Sequence, residues 1–96
     1  MIYAGMSRGS LVTEEFNSKC TEYRIEARIQ VYPNPGSPTQ AMRLITFTNF
    51  NNEALMILQQ DRRKRKHILP ARGTLEVLIA ADEPLPEIQR ELNYDA

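Results

Sequence analysis

The segment 23–31 alternates apolar and polar side chains over nine residues, and this pattern constrains the fold more than any other feature. The apolar positions are Tyr23, Ile25, Ala27, Ile29 and Val31, and the residues between them are charged or polar. A period of two is typical of a strand with one buried and one exposed face, whereas on a helix these apolar side chains would scatter around the axis. The alternation therefore predicts a strand over 21–32.

A second strand is predicted over 42–50, after a proline-rich segment. Three prolines and a glycine in 33–38 end the first strand, because proline cannot donate to a sheet ladder. The segment 42–50 is rich in β-branched and aromatic residues. Its apolar side chains lie on both faces, with Met42, Leu44 and Phe50 on one and Ile45 and Phe47 on the other. One face therefore needs cover from this chain or from a partner.

Two structures fit the segment 53–60. Its residues EALMILQQ include good helix formers, and Asn52 suits an N-cap. A helix continued through the following cations would have no apolar face in its second half. We therefore favour a strand at 54–59, a basic loop at 60–66 and a return strand from His67, with the helix as the alternative.

The two ends of the chain and the segment 74–80 complete the list of predicted elements. TLEVLIA at 74–80 is typical of a strand. Any strand before 21–32 is expected near Leu11–Phe16. Proline followed by an acidic residue at 86–88 favours the start of a short helix, with an extended tail as the alternative.

These elements predict an all-β fold, a small antiparallel β-sandwich or barrel with a short C-terminal helix or an extended tail. A chain of 96 residues is expected to form a single domain over 1–96. The segments 1–10 and 82–96 are expected to be extended or docking termini.

The formal net charge is zero, but the charges are separated along the chain. Residues 62–75 contain cations and no acidic residue, whereas acidic residues dominate 76–96. The cations, which are the candidate contacts for an anion or a nucleic acid, are Arg62, Arg63, Lys64, Arg65, Lys66 and Arg72. Two interpretations stay open: a solvated hairpin tip, or an electrostatic contact with nucleic acid or an acidic protein surface.

The sequence offers little support for an enzyme. His67, the one histidine, has no identifiable partner residues, and Cys20, the one cysteine, is expected to be a small buried apolar residue. No motif for phosphate binding and no metal-ligand spacing is found, so we expect no catalytic residues, no cofactor and no metal.

Localisation is inferred from features that the sequence lacks. No apolar run approaches the length of a membrane span, and the N-terminal segment lacks the layout of a signal peptide. We expect a protein that is cytoplasmic or part of an assembled particle, with no membrane partner and no small-molecule substrate.

The favoured function is a non-enzymatic β-sheet protein that docks into a larger symmetric complex, as a homo-oligomer or with other protein subunits. Its expected interface consists of Met42, Leu44, Phe50, Ile88, Leu92 and Tyr94. The plan of short strands, proline turns and an extended tail is compatible, by analogy of architecture alone, with small β-barrel assembly proteins such as capsid or tail components of viruses and phages. The alternative is a small nucleic-acid-binding β-barrel that uses the basic loop 62–66.

Overall fold

A computed structural model describes residues 13–33, 41–80 and 82–90. Within these residues the chain forms one helix and six strands: α1 Glu14–Glu22, β1 Ile25–Tyr32, β2 Met42–Asn49, β3 Leu55–Leu58, β4 Lys66–Leu69, β5 Thr74–Ala80 and β6 Glu87–Arg90. The protein is therefore mostly β, as expected from the sequence.

The strands form two small antiparallel sheets that do not close into a barrel. Sheet A has the strand order β1-β2-β5, and sheet B has the order β4-β3-β6. The chain passes from one sheet to the other between β2 and β3, between β4 and β5, and between β5 and β6. Neighbouring strands in each sheet are antiparallel throughout.

The three segments predicted as strands at 21–32, 42–50 and 74–80 each contain a strand, as expected. The alternating pattern forms β1 from Ile25 onwards, and the segments predicted at 42–50 and 74–80 form β2 and β5. The favoured alternative for 53–60 is also confirmed, since β3 and β4 form a hairpin with the cations in its turn. The residues before Ile25 differ from the prediction, because Thr21 and Glu22 belong to α1.

The strand expected near Leu11–Phe16 is wrong for the residues that the structure describes, because α1 begins at Glu14; Leu11 and Val12 lie outside them. The Thr13 side chain caps the helix by accepting a hydrogen bond from the Phe16 N–H at 3.1 Å. Acidic residues in the first turn suit the positive end of the helix dipole. Phe16 and Cys20, four residues apart, share one face and are buried.

The short helix expected at 86–88 is also wrong, because this segment leads into strand β6. Ile88 lies opposite Ile57 of β3 and is buried in the core. A strand here satisfies the backbone groups on the second side of β3 and buries Ile88, whereas a single helical turn would leave those groups unpaired.

One apolar cluster contains side chains from α1 and from both sheets. Its members are Phe16, Cys20, Ile25, Ala27, Ile29, Ile45, Phe47, Leu55, Ile57, Leu69, Val77, Ile79 and Ile88. The rings of Phe16 and Phe47 meet edge to face, with their centroids 6.3 Å apart. In sheet A the odd-numbered positions face this cluster, and we call that side the inner face and the opposite side the outer face.

Asn49 is a buried polar residue that joins three segments at one end of the fold. Its Nδ2 donates to the backbone oxygens of Glu53, Leu69 and Pro70, at distances of 3.0 to 3.3 Å. Its Oδ1 accepts a hydrogen bond from the Asn51 N–H at 2.9 Å. The side chain therefore connects the end of β2 to the loop before β3 and to the end of β4.

We predict that Asn49→Ala lowers the free energy of unfolding by about 2–4 kcal/mol, because buried carbonyl oxygens would lose their donor. Urea denaturation followed by circular dichroism measures the change. The matched control is Asn52→Ala, since Asn52 is exposed and its side chain accepts one hydrogen bond, from Arg72. An Asn49 variant as stable as this control would contradict the proposed role of Asn49.

Candidate functional site

The predicted cations form a defined turn between β3 and β4, and we call residues 61–66 the basic turn. The backbone oxygen of Asp61 accepts a hydrogen bond from the Lys64 N–H at 3.1 Å. Lys64 has a positive φ of 52°, in the left-handed region of the backbone map. The Arg65 guanidinium lies 2.7 Å from the Asp61 carboxylate. These contacts fix the shape of the turn.

Asp61 neutralises one cation of the basic turn and leaves others accessible. Desolvation acts to raise the pKa of the Asp61 carboxyl, but hydrogen bonds and the positive charge of Arg65 lower it by more. The pKa of Asp61 therefore lies below its usual value. Arg62, Arg63 and Lys66 are exposed, and none of them forms an ion pair within the described residues. An anionic partner would meet these three side chains and Lys64, whose Nζ donates a hydrogen bond to the neutral Gln60 side chain.

Arg72 does not join the basic turn. It lies between β4 and β5, whereas the basic turn ends at Lys66, the first residue of β4, so the two lie at opposite ends of that strand. At about 3.3 Å per residue the four residues of β4 span about 10 Å. Arg72 instead donates a hydrogen bond from Nε to the Asn52 side chain at 3.0 Å, near Asn49.

The outer face of sheet A carries a cluster of apolar side chains at one end. Tyr32, Met42 and Ala80 lie in one row across the three strands, and Leu44 and Leu78 lie in the next row. Tyr32 is 46% exposed and Leu78 is 51% exposed, while the others are partly buried. We call these five residues the apolar patch. The remaining rows of the outer face are polar or charged.

The residues predicted as an interface do not all come together. Met42 and Leu44 belong to the apolar patch, but Phe50 follows the opposite end of β2 and is exposed there. Ile88 is 5% exposed and packs in the core, so it is not available to a partner in this fold. Leu92 and Tyr94 lie outside the described residues.

A buried polar cluster ties the two sheets together at the end that carries the basic turn. Arg43 Nη2 donates to the backbone oxygens of Ala80 at 3.1 Å and Glu83 at 2.6 Å. Gln59 Nε2 donates to the backbone oxygen of Leu78 at 3.2 Å and to the Glu83 carboxylate at 2.9 Å. Because Gln59 directly follows β3, this cluster places the basic turn close to the apolar patch.

Arg43 is the polar residue that the sequence interpretation missed. Burial holds the pKa of Arg43 below its usual value, and the negative charges of Glu83 and Asp82 act in the opposite direction. A signal for it was present, since Arg43 shares one strand face with Ile45 and Phe47. A cation in a row of buried apolar residues requires specific partners.

A cleft of about 720 Å³ lies between α1 and residues 83–89. Phe16 and Tyr23 contribute aromatic rings to its wall. Its charged lining residues are of both signs: Glu15, Lys19, Arg43, Glu83 and Glu87. This mixture selects neither an anionic nor a cationic ligand, so the cleft indicates no particular ligand chemistry.

His67 lies at the edge of the buried polar cluster, and Cys20 lies in the core. His67 Nε2 lies 2.9 Å from Gln59 Oε1, at the edge of the buried polar cluster. Cys20 is fully buried on α1, where burial raises the pKa of its thiol to about 12. Among the described residues, no group of three or more side chains is suited to hold a metal ion.

Comparisons with known proteins gave no relatives: no family model, no curated protein and no solved structure matches the chain. In the part of the chain that the structure describes, no helix has the length and apolar character needed to cross a membrane.

We predict that the Cys20 thiol of the folded protein does not react with a thiol reagent such as dithiobis(nitrobenzoic acid), and that it reacts once urea unfolds the chain. Burial excludes the reagent and disfavours the thiolate, which is the reactive form. Rapid labelling of the folded protein at pH 8 would contradict this placement.

The same thiol has a testable dependence on pH. In the unfolded chain it ionises near pH 8.5, but in the folded protein only near 12. The neutral buried thiol therefore makes its full contribution to the free energy of unfolding below about pH 8.5. This contribution is lost progressively at higher pH, because the unfolded chain then releases its thiol proton while the folded protein keeps it. The difference in unfolding free energy between the wild type and Cys20→Ala should fall over this range, since the alanine variant lacks the thiol.

Proposed function

We propose that this protein is a non-enzymatic assembly module that associates with copies of itself, and with other protein subunits, in a larger symmetric complex. The observation that carries the proposal is the apolar patch. Half-exposed Tyr32 and Leu78 flank Leu44 and Met42 on two adjoining rows of one sheet face. Contiguous apolar surface of this kind favours burial against a protein partner.

The framework that presents the patch is, in this proposal, a two-layer β-sandwich. The inner faces of both sheets contribute to one apolar cluster, and this supports the two-layer arrangement. A packed core holds the strands of sheet A rigidly, so the patch needs little reorganisation on binding. The placement of His67 and Cys20 supports a role without catalysis.

Leu78→Lys tests the role of the patch. Size-exclusion chromatography with light scattering should give the wild type a mass above the 11.1 kDa of one chain, increasing with concentration. A charged lysine in the patch should weaken association by at least about tenfold, equivalent to about 1.4 kcal/mol.

The matched control is Thr74→Lys, which is exposed on the same face of the same strand but at the polar end. It should associate like the wild type. A wild type that is strictly monomeric at every concentration would contradict the proposal, as would a Leu78 variant that associates as strongly as this control.

A second candidate function is binding to a nucleic acid through the basic turn. It is favoured by the exposure of Arg62, Arg63 and Lys66 and by the Asp61 contacts that give the turn a fixed shape. Cations held on a shaped turn contact phosphates with release of counterions, which makes affinity depend on salt.

Replacing Arg62, Arg63 and Lys66 by glutamine tests this second function. If each cation neutralises a phosphate of duplex DNA, the slope of log affinity against log salt should become less steep by about 2–3. Fluorescence anisotropy with a labelled duplex measures the slope. Arg72→Gln is the control and should leave it unchanged, because Arg72 lies beyond the other end of β4. An unchanged slope in the triple variant would contradict phosphate binding by the turn.

A further inference from the structure

Sheet A has two edge strands, β1 and β5, and the hydrogen bonds show which backbone groups face outward on each. The Phe50 N–H donates to the Arg24 oxygen at 3.2 Å, and the Asn49 N–H donates to the Gly73 oxygen at 2.9 Å. Bonded and non-bonded pairs alternate in an antiparallel ladder. In β1, therefore, even-numbered residues bond to β2 and odd-numbered residues point outward, whereas in β5 the even-numbered residues point outward.

The outward groups of β5 are capped by side chains of the buried polar cluster. Gln59 Nε2 donates to the Leu78 oxygen at 3.2 Å, and Arg43 Nη2 donates to the Ala80 oxygen at 3.1 Å. The Ala80 N–H donates to the Glu83 carboxylate at 3.2 Å. These bonds occupy groups that an added strand would need, so they protect this edge.

Among residues 13–33, 41–80 and 82–90, no side chain protects the outward groups of β1 in this way. Within the described residues, no hydrogen bond reaches the outward N–H and C=O groups of Ala27, Ile29 and Val31. The strand is eight residues long, and Val31 and Tyr32 at its end are 45% and 46% exposed. A long unpaired edge next to exposed apolar side chains is a template for another strand.

The charges of β1 restrict how a second copy of this strand can pair with it. In a two-fold antiparallel arrangement, a residue on the axis lies opposite itself. An axis at Arg28 places the two Arg28 side chains opposite each other, and an axis at Glu26 places the two Glu26 side chains opposite each other. Both arrangements are destabilising because like charges repel. An axis at Ala27 pairs unlike charges but sets Val31 opposite Tyr23, which is not part of β1.

An axis at Ile29 avoids these conflicts and uses the outward groups of Ala27, Ile29 and Val31. It places Arg28 opposite the partner's Gln30, so the cation faces a neutral amide. It also places Val31 opposite the partner's Ala27, which gives this exposed side chain an apolar neighbour. Ala27, Ile29 and Val31 then bond to the partner's Val31, Ile29 and Ala27, which allows six backbone hydrogen bonds.

We propose that β1 pairs with β1 of a second copy of this chain, antiparallel and with Ile29 on the two-fold axis, so that sheet A continues across the dimer as six strands. This inference deepens the assembly function proposed above and rests on it, by naming a second copy as one partner. The dimer is isologous, because each chain offers the same strand.

Val31→Lys tests the pairing, with Thr74→Lys as the matched control. Both place a lysine at an exposed position of an edge strand in the same sheet, but only Val31 lies on the proposed dimer edge, and Thr74 lies outside the apolar patch. Val31→Lys should raise the dissociation constant of the dimer at least about tenfold, measured by analytical ultracentrifugation. Thr74→Lys should still form a dimer of twice the 11.1 kDa chain mass. Circular dichroism verifies that both variants are folded.

Cysteine pairs test the register independently of affinity. Arg28 and Gln30 lie opposite each other at a position without backbone hydrogen bonds, where Cα atoms are about 4.5 Å apart and a disulfide can form. A mixture of Arg28→Cys and Gln30→Cys proteins should therefore give a mixed disulfide under mild oxidation, faster than either variant alone gives a homodimer. The native Cys20 does not interfere because it is buried.

Each outcome separates this inference from the proposed function. If Val31→Lys associates like the wild type while Leu78→Lys is monomeric, the β1 dimer is wrong and the apolar patch stands. If Val31→Lys is monomeric and Leu78→Lys equals the wild type, the dimer stands and the role of the patch is wrong. Preferential self-crosslinking of Arg28→Cys would place Arg28 on the axis and overturn the proposed register. A monomeric wild type overturns both proposals.

Discussion

Glu83 is bound from both sheets, and the arrangement at one end of the fold depends on this contact. Its backbone oxygen accepts a hydrogen bond from Arg43 of sheet A, and its carboxylate accepts one from Gln59, which follows β3 of sheet B. The chain between β5 and β6 is thereby held against both sheets. This anchor directs β6 to the free side of β3 and fixes the position from which the basic turn begins.

The same polar contacts make the two edges of sheet A unequal. Three side chains of the cluster occupy outward backbone groups of β5, while β1 has no equivalent within the described residues. The stabilising network therefore also determines where a further strand can be added. At the other end Asn49 joins β2, the following loop and β4, so the apolar patch and the β1 edge are presented on a framework tied at both ends.

The extent to which the fold could be predicted depends on how far each signal repeats along the chain. The strands β1, β2 and β5 are seven or eight residues long. Over that length the alternation in β1 and the β-branched and aromatic content of β2 are hard to mistake. The four-residue strand β6 carries too few alternations to be recognised. Its conformation follows from β3, which needs a hydrogen-bonding partner on its second side. For α1, the capping residue Thr13 and the acidic residues after it were a local signal that the interpretation missed.

The candidate surfaces also contain features that could be predicted from local sequence and features that could not. Local sequence was enough to predict that the cations follow β3 as a turn and that Met42 and Leu44 share one strand face, because both facts depend on neighbours along the chain. It was also enough to predict the burial of Cys20 as a small apolar residue. Three other facts follow from the three-dimensional fold alone: Arg72 lies at the far end of β4 from the basic turn, Ile88 is in the core, and Tyr32 and Leu78 complete the apolar patch. These depend on strand register and on the crossings between sheets, which bring together residues that are distant in sequence and carry no shared local pattern.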